Sequence, residues 1–199
     1  MGVITGPNIV KTSLVLALDA GSTRSYPGSG TVWKDLSGNG FDFTMDSSGI
    51  TANSSEGSFT LTGGGASYTN IITQDQNCTF VFWMRTNDST ALFWQGQDTG
   101  YYLGAYRSNN KEYHNNFGGP QFFKNTVDTA NIYDNIRDNQ WHMLEFKNVS
   151  LHGHTQQHFN QYPSFEFQAT SAVGAIMVYS RNLTAAESAQ NYNALKNRF

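Results

Sequence analysis

The chain has 199 residues, a formal charge of -3 and 14% charged residues, against roughly 25% in an average soluble domain. That length suits one sizeable core, and the lack of any basic run excludes nucleic acid as a partner, because nothing would neutralise its phosphates. Cys78 is the single cysteine, so no intrachain disulfide framework can form, and no 18-residue apolar stretch is available to span a membrane.

Residues 1–12, MGVITGPNIVKT, lack the apolar core of a secretory leader and are expected to form an N-terminal arm able to grip a neighbouring subunit. One domain is expected over residues 13–199. Ser13 to Asp19 alternates Leu14, Leu16 and Leu18 against Val15 and Ala17, which predicts a strand covered on both faces. The next twenty residues are turn chemistry, with Tyr26-Pro27-Gly28 and Ser37-Gly38-Asn39-Gly40, pinned by Trp33. Ser58 to Thr62 and Ser67 to Ile72 flank Gly63-Gly64-Gly65, a pattern that predicts a hairpin with a flexible tip. Cys78 to Thr86 puts Phe80, Phe82 and Met84 on one face and Val81, Trp83 and Arg85 on the other, and Trp141 to Val149 alternates in the same way. Ten to twelve strands are expected, followed by a helix over residues 184–199. Its capping box pairs Thr184 with Glu187, and its apolar stripe is Ala189, Tyr192, Leu195 and Phe199. These elements predict an all-β, two-sheet antiparallel sandwich closed by one C-terminal helix.

Three stretches carry a resemblance. The first is GPNIVKTSLVLALDAGSTRSYPGSGTVWKDLSGNGFDFTM (Gly6 to Met45), the second CTFVFWMRT, and the third NQWHMLEF with the ending GAIMVYSRNLTAAESAQNYNALKNRF. In this order they resemble the concanavalin A-like, laminin-G-type jelly roll, in the form found in bacteriophage and marine viral proteins. The chain departs from that pattern after the Trp-His strand, where LHGHTQQHFNQYPSF replaces a short hairpin. The resemblance implies a virion structural protein, either a capsid decoration or fibre or a tail-associated protein. It would sit among other virion proteins as a homo-oligomer and bind cell-surface polysaccharide, with localisation to the virion and no signal peptide. The alternative is a carbohydrate-binding module without a structural role.

The chemistry points away from catalysis. Glycosidases of this fold need two carboxylates flanking the scissile bond, and none of Glu56, Glu112, Glu145, Glu166 and Glu187 has an Asp two residues on. The protein is therefore expected not to be an enzyme and to need no cofactor. His152, His154 and His158 are the most metal-like cluster, but Gln156-Gln157 between them reads as a polar loop. Rim calcium, which the family resemblance suggests, would draw on Asp19, Asp35 and Asn39, although Asp35 suits its own turn's amides equally well. For sugar stacking the candidates are Trp33, Trp94, Tyr101, Tyr102 and Tyr113, with Tyr106 beside them; Phe82 and Trp83 are assigned to the core.

Overall fold

The computed structural model describes residues 8–68, 77–88, 91–96, 102–106, 111–115, 121–129, 136–150, 157–160 and 171–199. Over residues 91–96, 102–106 and 111–115 it describes the backbone together with the Trp94 and Leu103 side chains. The strands in chain order are β1 (Leu14–Asp19), β2 (Val32–Trp33), β3 (Phe43–Met45), β4 (Ile50–Asn53), β5 (Ser58–Leu61), β6 (Ala66–Tyr68), β7 (Cys78–Arg85) and β8 (Ala91–Gly96). They continue as β9 (Tyr102–Tyr106), β10 (Lys111–Asn115), β11 (Gln121–Lys124), β12 (Val127–Asp128), β13 (His142–Val149), β14 (Gln157–Phe159) and β15 (Ser171–Tyr179). One helix, α1, spans Ala185–Leu195. Among the described residues no helix is long and apolar enough to cross a membrane.

Eight strands form sheet A in the order β12-β11-β13-β7-β15-β5-β4, with β1 also pairing β15; seven form sheet B in the order β10-β9-β8-β14-β6-β3-β2. The pairings are antiparallel, as in the sandwich the strand pattern predicts. Between the sheets lies one core, to which sheet A gives Leu16, Phe59, Phe80, Phe82 and Ile176 and sheet B gives Trp33, Phe43, Trp94, Leu103 and Phe159.

Sheet A is apolar on both faces. Its outer face carries a second cluster of Val81, Trp83, Met143, Met177 and Tyr179, covered by Tyr192, Leu195 and Phe199 at the C-terminus and by Ile9 and Val10. Trp83 stacks on Tyr192 at 5.7 Å and on Phe199 at 5.3 Å between ring centroids. This double cover explains why β7 and β13 read as apolar on alternate residues of both sets. Sheet B has no such second layer among the described residues.

Three expectations change. Gly63-Gly64-Gly65 does not turn a hairpin, because β5 belongs to sheet A and β6 to sheet B. The chain crosses between sheets there, and Gly64 and Gly65 are buried. A Cβ on Gly65 would collide with the Phe159 and Asn160 carbonyl oxygens, and the segment is clamped by Asn160 Nδ2 donating to Gly64 O at 2.7 Å. The hairpin partner of β5 is β4.

The helix also ends earlier than expected, at Leu195, with Lys196 as C-cap, although Phe199 still reaches Trp83. The described part of the expected arm is docked on its own domain. Val10 N–H donates to Asn191 Oδ1 at 2.8 Å, Tyr179 Oη–H donates to Val10 O at 3.1 Å, and Gln190 Nε2 donates to Asn8 O at 2.7 Å.

The capping box is present in full, with Glu187 N–H donating to Thr184 Oγ1 at 3.3 Å and Thr184 N–H donating to Glu187 Oε2 at 2.9 Å. Arg181 holds the same carboxylate at 2.6 Å, and the Arg181 hydrogen bond, followed by the Thr184 backbone, holds the Glu187 carboxyl down to about 2. Thr184→Ala removes one side of the box, so it should cost about 1 kcal/mol and lower Tm by roughly 2–4 °C, measured by thermal unfolding.

Candidate functional site

Strand alternation sorts the aromatic candidates. Trp33 lies on β2 with 0% exposure, packed edge-on against Phe59 at 4.9 Å. Trp94 on β8 is equally buried, with Phe80 at 5.0 Å and Phe43 at 5.6 Å. Both rings are core, so neither offers a face for a sugar; the residues are inward because Phe43, Leu103 and Phe159, their neighbours on sheet B, point to the same side. Tyr101 falls outside the described residues. Tyr102 pairs Gln95 and Asn115, one position away from the inward Leu103, and Tyr113 pairs Gly104, two positions along β9. Register therefore puts Tyr102 and Tyr113 on the outer face of sheet B.

A cross-strand row runs the whole width of that face. Val32 pairs Thr44, Thr44 pairs Ser67, Ser67 pairs His158, His158 pairs Gln95, Gln95 pairs Tyr102 and Tyr102 pairs Asn115. Val32 and Thr44 are exposed, and Ser67 and His158 are half-buried. Thr44, Ser67 and His158 thus lie in register with Gln95, Tyr102 and Asn115 across the sheet. This is the residue mix that holds a polyhydroxylated ligand, in which ring faces meet C–H surfaces and polar groups meet hydroxyls. The row was not legible in the sequence, since its seven members come from seven separate strands.

The calcium candidates are otherwise engaged. Asp35 Oδ1 accepts from the backbone N–H of Ala17 at 2.9 Å and of Ser37 at 2.8 Å, while Oδ2 accepts from Ser37 Oγ at 2.6 Å and Phe41 N–H at 3.2 Å. Asp19 Oδ1 accepts from Gly21 N–H, and Oδ2 pairs with Arg198 at 2.8 Å. Asn39 Nδ2 donates to Val15 O at 2.9 Å. These side chains tie the β1–β2 loop to β1. Among the described residues no three His, Cys, Asp or Glu side chains gather as a metal site. His152 and His154 fall outside the described residues.

The glutamates whose side chains are described are also committed. Glu56 pairs with Arg85 at 3.1 Å, Glu187 caps α1, and Glu145 is fully buried beneath α1.

His142 is a polar residue whose role only the structure reveals. Asn125 Oδ1 accepts from Met143 N–H at 2.9 Å, which fixes the amide so that Nδ2 donates to His142 Nδ1 at 3.1 Å. Nε2–H then donates to Asp138 at 2.9 Å. Both ring nitrogens are used in a clamp between the β11–β12 turn and β13. Burial pushes the His142 pKa below its ordinary value, although the Asp138 hydrogen bond pulls the other way. The neutral ring is favoured in the folded state, so the clamp's contribution is present above about pH 6.5 and is lost as pH falls below it. Urea unfolding between pH 7.5 and 5.5 should show this loss, and His142→Gln should flatten it.

No protein-family model and no curated protein matches the sequence. Solved structures do share its fold. Trypanosoma rangeli sialidase matches with a TM-score of 0.59 and 13% identity, over 94% of this chain and 33% of that one. The binding domain of Botulinum Neurotoxin DC, solved in complex with SialylT, matches with a TM-score of 0.57 and 12% identity, over 93% of this chain and 52% of that one. Domain 4 of AbnA, a GH43 extracellular arabinanase from Geobacillus stearothermophilus in complex with arabinotriose, matches with a TM-score of 0.61 and 11% identity, over 90% of this chain and 98% of that one. The chain spans about a third of the sialidase and nearly all of the arabinanase domain. What is common at these identities is the two-sheet β-sandwich fold.

Proposed function

We propose that this domain is a non-catalytic glycan-binding module that presents the outer face of sheet B to a polysaccharide. The observation that carries the reading is the asymmetry of the sandwich. Most of the outer face of sheet A is covered by α1 and by Ile9 and Val10, with a cleft of about 370 Å³ left between them and β1, whereas the outer face of sheet B carries the row from Val32 to Asn115, with Tyr102 in it. A sandwich of the same kind is bound to SialylT in the neurotoxin domain and to arabinotriose in the arabinanase domain, which supports a sugar as the ligand class. The commitment of Glu56, Glu187 and Glu145 to pairing, capping and burial supports binding without turnover.

The finer placement is on a virion, as a decoration, fibre or tail-associated protein that attaches the particle to cell-surface polysaccharide. It rests on the viral pattern in Gly6 to Met45 and on the C-terminal ending. Self-association into a homo-oligomer belongs to the same reading, because an array of weak sites gains avidity.

A glycan array with and without a calcium chelator tests the module. The expected result is binding that survives the chelator and falls on Tyr102→Ala, with unchanged melting of the variant. No binding in either condition would leave only structural service.

A further inference from the structure

We propose a second glycan subsite, specific for a neutral hexopyranose unit, in the cleft between the β1–β2 loop and the β4–β5 hairpin; it rests on the glycan-binding reading above. The cleft holds about 360 Å³, at the small end of ligand pockets and suited to one sugar ring. Its lining contains no charged side chain. A lining without a cation offers nothing to pair with a sialic acid carboxylate or a phosphate, which narrows the ligand to a neutral one.

The walls provide both halves of sugar recognition. Tyr26 supplies a half-buried ring, held edge-on against Phe59 at 4.9 Å, for the C–H face of a pyranose. Thr23, Ser54 and Asn53 supply hydroxyl and amide groups along the lining. Asn53 Oδ1 accepts from Ser55 Oγ at 2.7 Å, which turns the amide nitrogen of Asn53 away from that contact and leaves it to donate to a ligand.

The cleft is also preorganised. Tyr26 N–H donates to Ser22 O at 2.8 Å, and the buried Ser25 Oγ–H donates to Lys34 O at 2.5 Å, so the wall that carries the ring is fixed before any ligand arrives. At the base of the cleft Gly21 and Gly57 meet. A Cβ on Gly57 would lie 3.0 Å from Gly21 Cα, and Gly57 has φ +62, so side chains are excluded there and the two loops close together.

The test is glycan-array binding followed by titration of the best neutral and sialylated ligands against wild type, Asn53→Ala, Thr23→Trp and Tyr102→Ala, with melting curves for each. Asn53→Ala should weaken the neutral ligand by about tenfold, the scale of one lost hydrogen bond, and Thr23→Trp should fill the cleft and abolish that component. Tyr102→Ala should leave the cleft component in place. Wild-type binding that Asn53→Ala and Thr23→Trp both leave unchanged overturns the cleft and spares the sheet B reading. Binding confined to sialylated ligands also overturns the cleft. A wild-type domain that binds no glycan overturns both.

Discussion

Trp94→Ala should lower the unfolding free energy by about 4 kcal/mol, the usual scale for truncating a buried aromatic residue. The ring touches Phe43, Phe80 and Phe82, which come from both sheets, at centroid distances of 5.6, 5.0 and 6.4 Å. Its indole N–H donates to Gln157 Oε1 at 2.8 Å, so truncation opens a cavity and also takes a donor from a buried amide. Trp94→Phe keeps most of the volume and should cost less. Urea unfolding of both variants checks the order. A Trp94→Ala protein of wild-type stability that had lost glycan binding would move Trp94 from the core to the ligand site.

Lys147→Met should cost about 3–5 kcal/mol, because it strips the counter-charge from a carboxylate with no access to water. Lys147 Nζ lies 3.1 Å from Glu145 Oε1 and donates to Leu183 O at 2.8 Å, while Ser188 Oγ–H donates to the same Glu145 oxygen at 2.8 Å. Glu145 Oε2 has no hydrogen-bond partner among the described residues. Burial pushes the Glu145 pKa up, and Lys147 and Ser188 oppose the rise. With Lys147 gone the rise is larger. An acid whose folded pKa is raised loses stability as pH increases through that value, so Lys147→Met should be most stable at low pH. The double variant Glu145→Leu with Lys147→Met removes both charges, and it should recover most of the loss. Additive single and double effects in urea unfolding would show that the pair is not coupled.

The double-sided strands were legible because Phe80, Phe82 and Met84 alternate with Val81 and Trp83, and the two sets do enter different clusters. Thr184 and Glu187 were equally clear, since a capping box is local and needs only four residues. The triple glycine misled because the same residues serve a tight turn and a close passage between sheets. Only the pairing of β5 with β15 and of β6 with β14 tells these apart. The aromatic candidates had the same weakness: period-two alternation shows that neighbours face opposite ways, while the inward set is decided by register with distant strands. The apolar stripe of α1 does pack on sheet A through Tyr192 and Leu195, yet the helix residues that are fully buried are Ser188 and Asn191. Their partners, Glu145, Val10 and Tyr179, lie far away in the chain, so no local pattern marks them. The cleft beside Tyr26 was hidden for the same reason, being assembled from two loops.

Amide hydrogen exchange with and without a bound glycan tests most directly which face of the sandwich receives the ligand. Added protection is expected in β6, β8, β9, β10 and β14 and in the loops around Tyr26 and Asn53, with α1 unchanged. Protection concentrated on residues 185–195 and on the outer strands of sheet A, with sheet B unaffected, would contradict it.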